Sequence, residues 1–549
     1  MEIENLPNEI LEQILRLLSV EELESAALVC LSWKNIILTT IIPKYVAIHI
    51  KPVHPVTHQL VAVPSVLSTQ IMSPYPKSHY KITIPDDELP KCTEFITFFQ
   101  HCGSNLKSLN LQVMQLTESI LEVFPYLFNL EELILTTESD DAYGSLPESV
   151  EQYLRGLKSL KSLKLHLPNY LIIRNPAFFS TNSLTALCFE RFEIELRFLK
   201  PFLSQYSNTL RELTVRVEEM KPFLHYINSL PDLKLLKLNI KSAGNEDDFT
   251  DALIQLFDQQ PQLRVLKIGS ELSLRSVNVI PKMLPHLREL DFIAESVHDC
   301  KAFAGLQHLR KLTMSLYDVR AWDETARLES VVEFALSVTF PLVSPAIFYS
   351  FPSVRRFYLE DVDDETLMRD IVVVQTLMEN IRGVEYLDLE NYVLREREIL
   401  NDSVESFASL EHLKMLKYSC RDMSDASLLT MVLPELRELH LTHCPGVSFK
   451  GISILTRNCP LIETLHIEYN KVGFNDDCMD IITRKLGNLK RLYLVNLKEL
   501  SNETIELILT NCRKLKELTF SYCVGITMGK AEAIGRLSAM KTLRSLIYS

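Results

Sequence analysis

The sequence predicts an α/β solenoid, a stack of short repeats that each contribute one strand and one covering segment. Three observations predict this fold class. A Leu-x-x-Leu-x-Leu pattern returns every ~22–30 residues from about residue 106 to the C-terminus. Within each unit the leucines alternate with polar residues, which is the period of a strand with one buried face. Between the strands, apolar residues recur at helical spacing, as at Ile505, Ile508 and Leu509.

The period and spacing are typical of leucine-rich repeats. About eighteen units follow one another over 106–549, the first set by Leu106, Leu109 and Leu111, and a later one assigned to Leu410, Leu413 and Met415. One unit cannot bury its apolar face alone, so neighbours stack into a parallel sheet with crossover helices. We therefore expect a leucine-rich-repeat horseshoe with strands on its concave face and helices on its convex face. Strand-like segments at 45–50 and 80–84 begin the stack as degenerate repeats.

The composition excludes several classes of protein. The net charge is −14, which argues against general nucleic-acid binding because that requires a basic face. The N-terminus begins Met-Glu-Ile-Glu without the positive segment of a secretory signal, and no run of ~18 apolar residues predicts a membrane span. The 11 cysteines are scattered and form no Cys-x-x-Cys pair. This usage is typical of reduced thiols, so we expect a cytoplasmic or nuclear protein.

Residues 1–42 interrupt the repeat pattern and predict a module of three short helices. Apolar residues from Ile10 to Leu18 form a wide stripe at helical spacing. Ser19 and Glu22 form a capping-box pattern at the start of a second helix. So small a module cannot enclose all of its apolar residues, which indicates that a partner covers part of them. Residues 43–105 connect this module to the repeats through a proline-rich loop, because prolines at that density prevent a regular helix.

The N-terminal module resembles an F-box. The resemblance rests on Leu6-Pro7-x-Glu9-Ile10-Leu11, on Ile14-Leu15, and on Val29-Cys30-x-x-Trp33-Lys34, and it departs from the usual pattern at Leu31. An F-box followed by leucine-rich repeats is similar to the F-box/leucine-rich-repeat family of substrate receptors. The resemblance implies that the module docks on the Skp adaptor of a cullin-RING ubiquitin ligase. The adaptor-binding and core residues that it implies are Leu6, Pro7, Ile10, Leu11, Ile14, Leu18, Leu23, Val29, Cys30 and Trp33. The alternative is that these residues pack only against the first repeats.

A cargo-binding surface is predicted from the residues that flank the second and third leucine of the later repeats. Their composition changes near residue 356 to a mixture rich in Tyr, Arg and His, and Tyr and Arg are enriched in binding hot spots. Strands ~4.8 Å apart would place these residues in one patch. The alternative is ordinary polar decoration of a concave face. The predicted cargo residues are Arg356, Tyr358, Tyr386, Asp388, His412, Lys414, Glu438, His440, His466, Arg491 and Tyr493.

No arrangement of residues predicts catalysis, a metal site or a cofactor. The segment Gly525-x-x-x-Gly529-Lys530 is one residue too short for a phosphate-binding loop and lacks its Ser or Thr. We therefore predict a non-enzymatic substrate receptor of an SCF-type (Skp–cullin–F-box) ubiquitin ligase, which captures a protein substrate and binds neither nucleic acid nor membrane. One alternative is an interaction scaffold that never reaches a ligase. Another is a small-molecule sensor, which would need a basic ring that the sequence does not show.

Overall fold

The structure is a computed structural model that describes most of residues 103–548 and scattered positions before them. The described positions before 103 are Leu11, Ile14, Leu15, Ala26, Val29, Cys30, Trp33, Ile36, 48–50, 79–84, Ile96, Phe99 and Gln100. Beyond 103 the gaps are 114–117, 138–151, 167–182, 194–195, 228–229, 231–232, 243–245, 298–300, 320–321, 323–326, 339–343, 362–378, 395–408, 421–422, 445, 469–472, 538–539, 541, 544 and 549. The chain divides into two compact units, Met1–Leu263 and Arg264–Ser549.

In the first unit, parallel strands pair in chain order, each with the next. The strands are β1 (Ile48–Ile50), β2 (His79–Ile84), β3 (Ser108–Val113), β4 (Glu132–Thr137), β5 (Ser162–His166), β6 (Ala186–Glu193), β7 (Glu212–Glu219) and β8 (Leu235–Ser242). The helices are α1 (Glu118–Leu121), α2 (Leu196–Gln205), α3 (Met220–Ile227) and α4 (Glu246–Gln259). Short 3₁₀ turns lie at Gly103–Asn105 and Phe124–Tyr126.

In the second unit the strands also pair in parallel, each with its neighbour in the chain. They are β9 (Val265–Leu272), β10 (Glu289–Ser296), β11 (Lys311–Asp318), β12 (Glu333–Val338), β13 (Arg356–Asp361), β14 (Tyr386–Leu394), β15 (Met415–Cys420), β16 (Glu438–Thr442), β17 (Thr464–Glu468), β18 (Arg491–Val495), β19 (Glu517–Ser521) and β20 (Ser545–Tyr548). The helices are α5 (Leu274–Met283), α6 (Asp425–Thr430), α7 (Phe449–Asn458), α8 (Asp476–Lys485), α9 (Asn502–Asn511) and α10 (Lys530–Leu537). Lys301–Phe303 and Pro345–Ser350 are 3₁₀ turns.

Where side chains are described, the strands bury one face and leave most of the other open. In β18, buried Leu492 and Leu494 alternate with partly exposed Arg491, Tyr493 and Val495. This alternation follows from the two-residue period of a strand, and the buried leucines form the core beneath the helices. A strand occurs in every one of the eighteen repeats, which confirms the predicted solenoid of leucine-rich repeats. We call the side of the sheet that carries the partly exposed positions the open face.

A backbone pattern aligns the repeats at the beginning of each strand. The carbonyl of Arg264 accepts hydrogen bonds from the N–H groups of Arg288 and Glu289, at 2.7 and 3.1 Å. The carbonyl of Arg437 accepts from Glu463 and Thr464 in the same way, at 2.7 and 2.9 Å. The residue just before each strand therefore lies directly beside its counterpart in the next repeat. We call this line of residues the edge row.

One repeat was assigned the wrong phase in the sequence. The pattern was placed on Leu410, Leu413 and Met415, but β15 begins at Met415 and aligns Leu416 with Leu439 and Tyr418 with Leu441. Leu413, Leu416 and Tyr418 are the buried core positions, and Met415 lies on the open face. The sequence is ambiguous here because Leu410, Leu413 and Leu416 are spaced by three, so the pattern fits twice.

Side chains also join neighbouring helices in the C-terminal repeats. Asp476, the first residue of α8, accepts hydrogen bonds from the backbone N–H of Ser501 at 3.1 Å, from its hydroxyl at 2.5 Å and from the Thr504 hydroxyl. Asp425 bonds Ser448 in the same manner, at 2.8 Å to the N–H and 2.5 Å to the hydroxyl. Ser448 and Ser501 are N-caps, so each carboxylate holds the start of the next helix in place.

Candidate functional site

The N-terminal module has a small buried core and exposed apolar side chains beside it. Leu11 and Leu15 are helical and buried, whereas Ile14 on the same stretch is 43% exposed. Val29 is 61% exposed. Leaving such side chains in water is unfavourable, by about 1.5–3 kcal/mol relative to full burial of each. Ile14 and Val29 are therefore candidates for burial against a partner.

The other predicted adaptor residues divide into two groups. Cys30 and Trp33 are partly buried, and the backbone N–H of Trp33 donates to the Cys30 sulfur at 3.5 Å. Leu11 belongs to the core, so its contribution is to hold the module together rather than to contact a partner. Leu6, Pro7, Ile10, Leu18 and Leu23 lie outside the described residues.

On the open face of the second unit, strand register brings most of the predicted cargo residues into two adjacent rows. In the first row, Arg356 aligns with Tyr386 on the next strand. Two strands further along, Glu438 aligns with Thr464, which in turn aligns with Arg491. The second row runs through Tyr358, Asp388, Lys417, His440, His466 and Tyr493. Neighbouring strands lie ~4.8 Å apart, so these side chains form one continuous surface over β13–β18. We call this surface the open-face patch.

Contacts between strands fix the arginines of the patch. The Arg356 guanidinium lies 4.8 Å from the centre of the Tyr386 ring, a cation–π contact. The Arg491 Nε donates to the Thr464 hydroxyl at 2.9 Å, and its Nη2 lies 3.7 Å from the Glu438 carboxylate. Arg356 also lies 3.8 Å from the Glu333 carboxylate, so each arginine has two partners, which limits the freedom that it would lose when a protein binds.

Aromatic rings follow one another along the second row. The His440 and His466 ring centroids are 5.1 Å apart, and those of His466 and Tyr493 are 5.7 Å apart. The His440 Nε2 lies 2.9 Å from Glu438, and this hydrogen bond is the main reason that the pKa of Glu438 is lowered. The Tyr493 hydroxyl donates to Glu517 at 2.6 Å. Burial, together with that hydrogen bond, raises the pKa of Tyr493 to about 12, so its phenol stays protonated at neutral pH.

Two predicted cargo residues do not lie on these rows. His412 and Lys414 precede β15, because the strand begins three residues later than the repeat pattern suggested. His412 lies in the exposed turn, 3.9 Å from Glu435, and Lys414 belongs to the edge row, where its ammonium bonds Glu385 at 2.6 Å. Their placement on the open face was therefore wrong. Lys417, which the sequence analysis missed, takes the position in the patch and lies 3.1 Å from Asp388. The buried Tyr418 was the signal that could have revealed the correct phase.

The described residues form no arrangement suited to metal binding or to thiol chemistry. No group of three His, Cys, Asp or Glu side chains in the described part of the chain could hold a metal ion. Burial raises the pKa of the Cys459 thiol to about 11 and that of Cys512 to about 12, so these thiols remain protonated.

A Cβ at Gly525 would clash with the carbonyl oxygens of Leu500 and Lys498, so this glycine allows close packing of a repeat turn. Across the described segments, none of the helices has the length and hydropathy that a bilayer-spanning helix needs.

Comparison with known proteins identifies the N-terminal module. The F-box-like family profile matches residues 3–43, the segment that contains Ile14 and Val29. The chain is 30% identical over 119 residues to F-box/LRR-repeat protein 4 of Bos taurus, a match over 21% of this chain and 19% of that protein. The aligned region thus spans about a fifth of the length of this curated relative.

Solved structures with a similar arrangement include two that share little sequence with this chain. A TLR13–ssRNA13 complex matches 85% of this chain and 76% of its own, with 17% identity and a TM-score of 0.41. An internalin (inlF) from Listeria monocytogenes matches 63% of this chain and 83% of its own, with 16% identity and a TM-score of 0.33. At these TM-scores neither likeness supports an argument about this chain, and the fold rests on the strand registers given above.

Proposed function

We propose, from the premise that this chain is an F-box/leucine-rich-repeat protein, that it is the substrate-recognition subunit of an SCF-type ubiquitin ligase. Its F-box docks on the Skp adaptor, and its repeats capture a protein for ubiquitination. The chain itself is non-catalytic in this proposal. It acts by proximity, because it raises the effective concentration of substrate lysines near the loaded conjugating enzyme. Such a role suits a protein of the cytoplasm or nucleus.

The observation that carries the proposal is the division of apolar residues in the segment that matches the F-box-like profile. Leu11, Leu15 and Ala26 are buried, while Ile14 and Val29 on the same module are 43% and 61% exposed. A module with its own core and exposed aliphatic side chains fits a docking role better than a purely internal packing role.

The open-face patch supports the second half of the proposal. It combines arginine, tyrosine and histidine side chains that are already held in position by contacts between strands. Residues of these types, fixed before binding, favour recognition of a folded or extended protein partner.

Co-purification of the full-length chain with a recombinant Skp adaptor tests the docking half. The double variant Ile14→Glu with Val29→Glu should reduce adaptor capture at least about tenfold, because it places two charges in an apolar interface. The matched control is Leu429→Glu with Val432→Glu, which changes two apolar side chains that are 54% and 49% exposed in the repeats. This control should capture the adaptor as the unchanged chain does, and circular dichroism should show equal folding of both variants.

The rival function is an interaction scaffold that never reaches a ligase. If the unchanged, folded chain captures no adaptor, or if the double variant captures as much as the control, the ligase proposal is wrong and the scaffold remains. The capture half is tested separately by affinity purification from cells with the proteasome and neddylation blocked. Proteins retained by the unchanged chain should be lost with Tyr358→Ala, Tyr386→Ala and Arg491→Ala combined; retention would refute the patch.

A further inference from the structure

The edge row follows a simple charge rule in three places. Glu131 lies between Lys107 and Lys161, at 2.9 and 2.6 Å. Glu385 lies between Arg355 and Lys414, at 3.8 and 2.6 Å, and Glu463 lies between Arg437 and Lys490, at 2.9 and 2.8 Å. In each triplet one carboxylate pairs with a cation on either side, so the cations of neighbouring repeats are held apart by a shared anion.

In the second unit, one stretch of the edge row holds three consecutive cations that share no anion. Arg264, Arg288 and Arg310 occupy the edge positions of three consecutive repeats, and backbone hydrogen bonds of 2.7 and 2.8 Å join each to the next. All three side chains are exposed. Among the described residues, no ion pair joins any of them to a carboxylate. The next edge position is Val332, so the row supplies no anion on that side either.

The residues just before the first core leucines of these three repeats carry no carboxylate, and the first acid at that position is the exposed Glu329 of the next repeat, beside Ser330. The two residues before each first core leucine are Pro261-Gln262, Pro285-His286 and Gln307-His308, and the two histidine rings stack at 6.5 Å. The nearest acid in sequence, Glu289, belongs to the open face and lies 4.0 Å from Lys267. Arg310 donates one N–H to the Ser330 carbonyl at 3.2 Å, which leaves the remaining donors of its fork for another acceptor.

We propose that Arg264, Arg288 and Arg310 form a binding edge for an acidic segment of polypeptide, with Asp or Glu side chains as the recognised groups. The proposal deepens the proposed function and rests on it, because it gives the chemistry of one part of the cargo. Neighbouring parallel strands are ~4.8 Å apart, so the three guanidinium groups span about 10 Å. An extended peptide covers that distance in about three residues, so carboxylates within three or four residues can reach all three forks.

Charge and geometry favour carboxylates on a peptide. Guanidinium forks bind carboxylates in a bidentate manner, and three separate forks at strand spacing match separate carboxylates better than one compact anion. The chain as a whole carries a net charge of −14, so attraction of an acidic segment is confined to this local cluster. Binding an acidic segment also relieves the mutual repulsion of three like charges on adjacent repeats.

Fluorescence anisotropy with the purified full-length chain tests the edge directly and needs no adaptor. The probes are a labelled twelve-residue peptide in which Glu alternates with Ser, the same peptide with Gln for Glu, and a version in which phosphoserine alternates with Gln. The triple variant Arg264→Gln, Arg288→Gln and Arg310→Gln should weaken binding of the Glu peptide roughly tenfold. The matched control, Arg457→Gln with Lys485→Gln and Arg513→Gln, removes three exposed cations elsewhere and should change affinity less than about twofold.

The other peptides, the salt dependence and a lysine variant distinguish carboxylate recognition from phosphate recognition and from nonspecific binding. The Gln peptide should bind neither protein, and the affinity of the Glu peptide should fall as salt rises. Replacing the three arginines by lysines keeps the charge but removes the forks, and it should weaken binding several-fold. Equal binding of the Glu peptide by the triple variant and the control overturns the proposal. Binding of the phosphopeptide alone through these arginines would also overturn it, in favour of phosphate recognition. Failure of adaptor docking would leave all of these results unaffected, so the two proposals fail separately.

Discussion

The arginine rungs (β9–β11) and the C-terminal rungs (β16–β19) are built on the same strand pattern but use their polar side chains differently. In the C-terminal rungs, Glu463 joins Arg437 to Lys490, and Asp476 joins α8 to the start of α9. In the arginine rungs, Arg264, Arg288 and Arg310 lie in line, and within the described residues no carboxylate pairs with them.

The same repeat can therefore use its polar side chains either to hold its neighbours or to stay accessible to a partner. The backbone hydrogen bonds at the edge are 2.7–2.8 Å in both regions, so the strand geometry is the same. Where polar side chains pair with one another they hold neighbouring repeats together, and where they do not they remain accessible to a partner. Ion pairs on a surface contribute little stability, typically about 0–1 kcal/mol, so the arginine rungs lose little by leaving theirs unformed.

The largest expected effect tests whether the two regions share one kind of core. Leu290 in β10 and Leu465 in β17 are both fully buried. Replacing either by Ala should lower the free energy of unfolding by about 2–5 kcal/mol, because each change leaves a cavity. Urea denaturation followed by circular dichroism measures both. A loss below about 1 kcal/mol at Leu290 alone would mean that the arginine rungs are packed more loosely than the C-terminal rungs.

A smaller effect is expected at the helix connections that the C-terminal rungs possess. Asp476→Ala removes three hydrogen bonds to Ser501 and Thr504 and should cost about 1.5–3 kcal/mol, because the acceptor is charged. Asp477→Ala is the control on the same first helical turn, where the helix-dipole interaction of about 0.3–1 kcal/mol and a long, exposed hydrogen bond of 3.5 Å from Asn475 are lost. Equal costs in thermal or urea unfolding would show that the Ser501 and Thr504 contacts add nothing.

Exchanging charges between the two regions should produce effects of opposite sign. Arg288→Glu creates an Arg-Glu-Arg triplet on the arginine rungs and should stabilise the chain by up to about 1 kcal/mol. Glu463→Arg creates a run of five cations along the edge row, from Lys414 to Lys516, and should destabilise the chain by a similar amount. Both effects should shrink in high salt. Changes of the same sign in the two variants would contradict the comparison.

The smallest effect is a dependence on pH at Glu463, in the C-terminal rungs. Although burial acts to raise the pKa of Glu463, the hydrogen bonds and charges of Lys490 and Arg437 lower it below 4.5. A lowered pKa in the folded state contributes stability above the unfolded value that disappears as the pH falls through the folded value. The stability difference between the unchanged chain and Glu463→Gln should therefore be full above about pH 5 and vanish well below pH 4.5. A difference that persists in acid would mean that Glu463 acts through packing rather than charge, and Arg288→Gln should show no such titration.

The sequence predicted the repeats well because the regularly spaced leucines are themselves the buried core residues of each strand. It failed at β15, where Leu410, Leu413 and Leu416 allow two phases and only the burial of Tyr418 decides between them. The pairing of Glu438 with Arg491, two strands away, could not be predicted, since contacts between repeats depend on loop lengths that the leucine pattern does not fix. The arginines of the edge row were visible in the sequence, each after a core leucine. Their lack of a counter-charge became evident only when strand register identified their neighbours.

Hydrogen–deuterium exchange of the full-length chain, alone and with the Skp adaptor, tests most directly whether the N-terminal module binds the adaptor while the open-face patch stays available for cargo. We expect the adaptor to slow exchange in peptides containing Ile14 and Val29, within the segment that matches the F-box-like profile. Exchange in peptides from β13–β18 should remain unchanged, so that the open-face patch stays available for cargo. Protection of those strands with none at residues 3–43, or no protection anywhere, would contradict the proposed receptor.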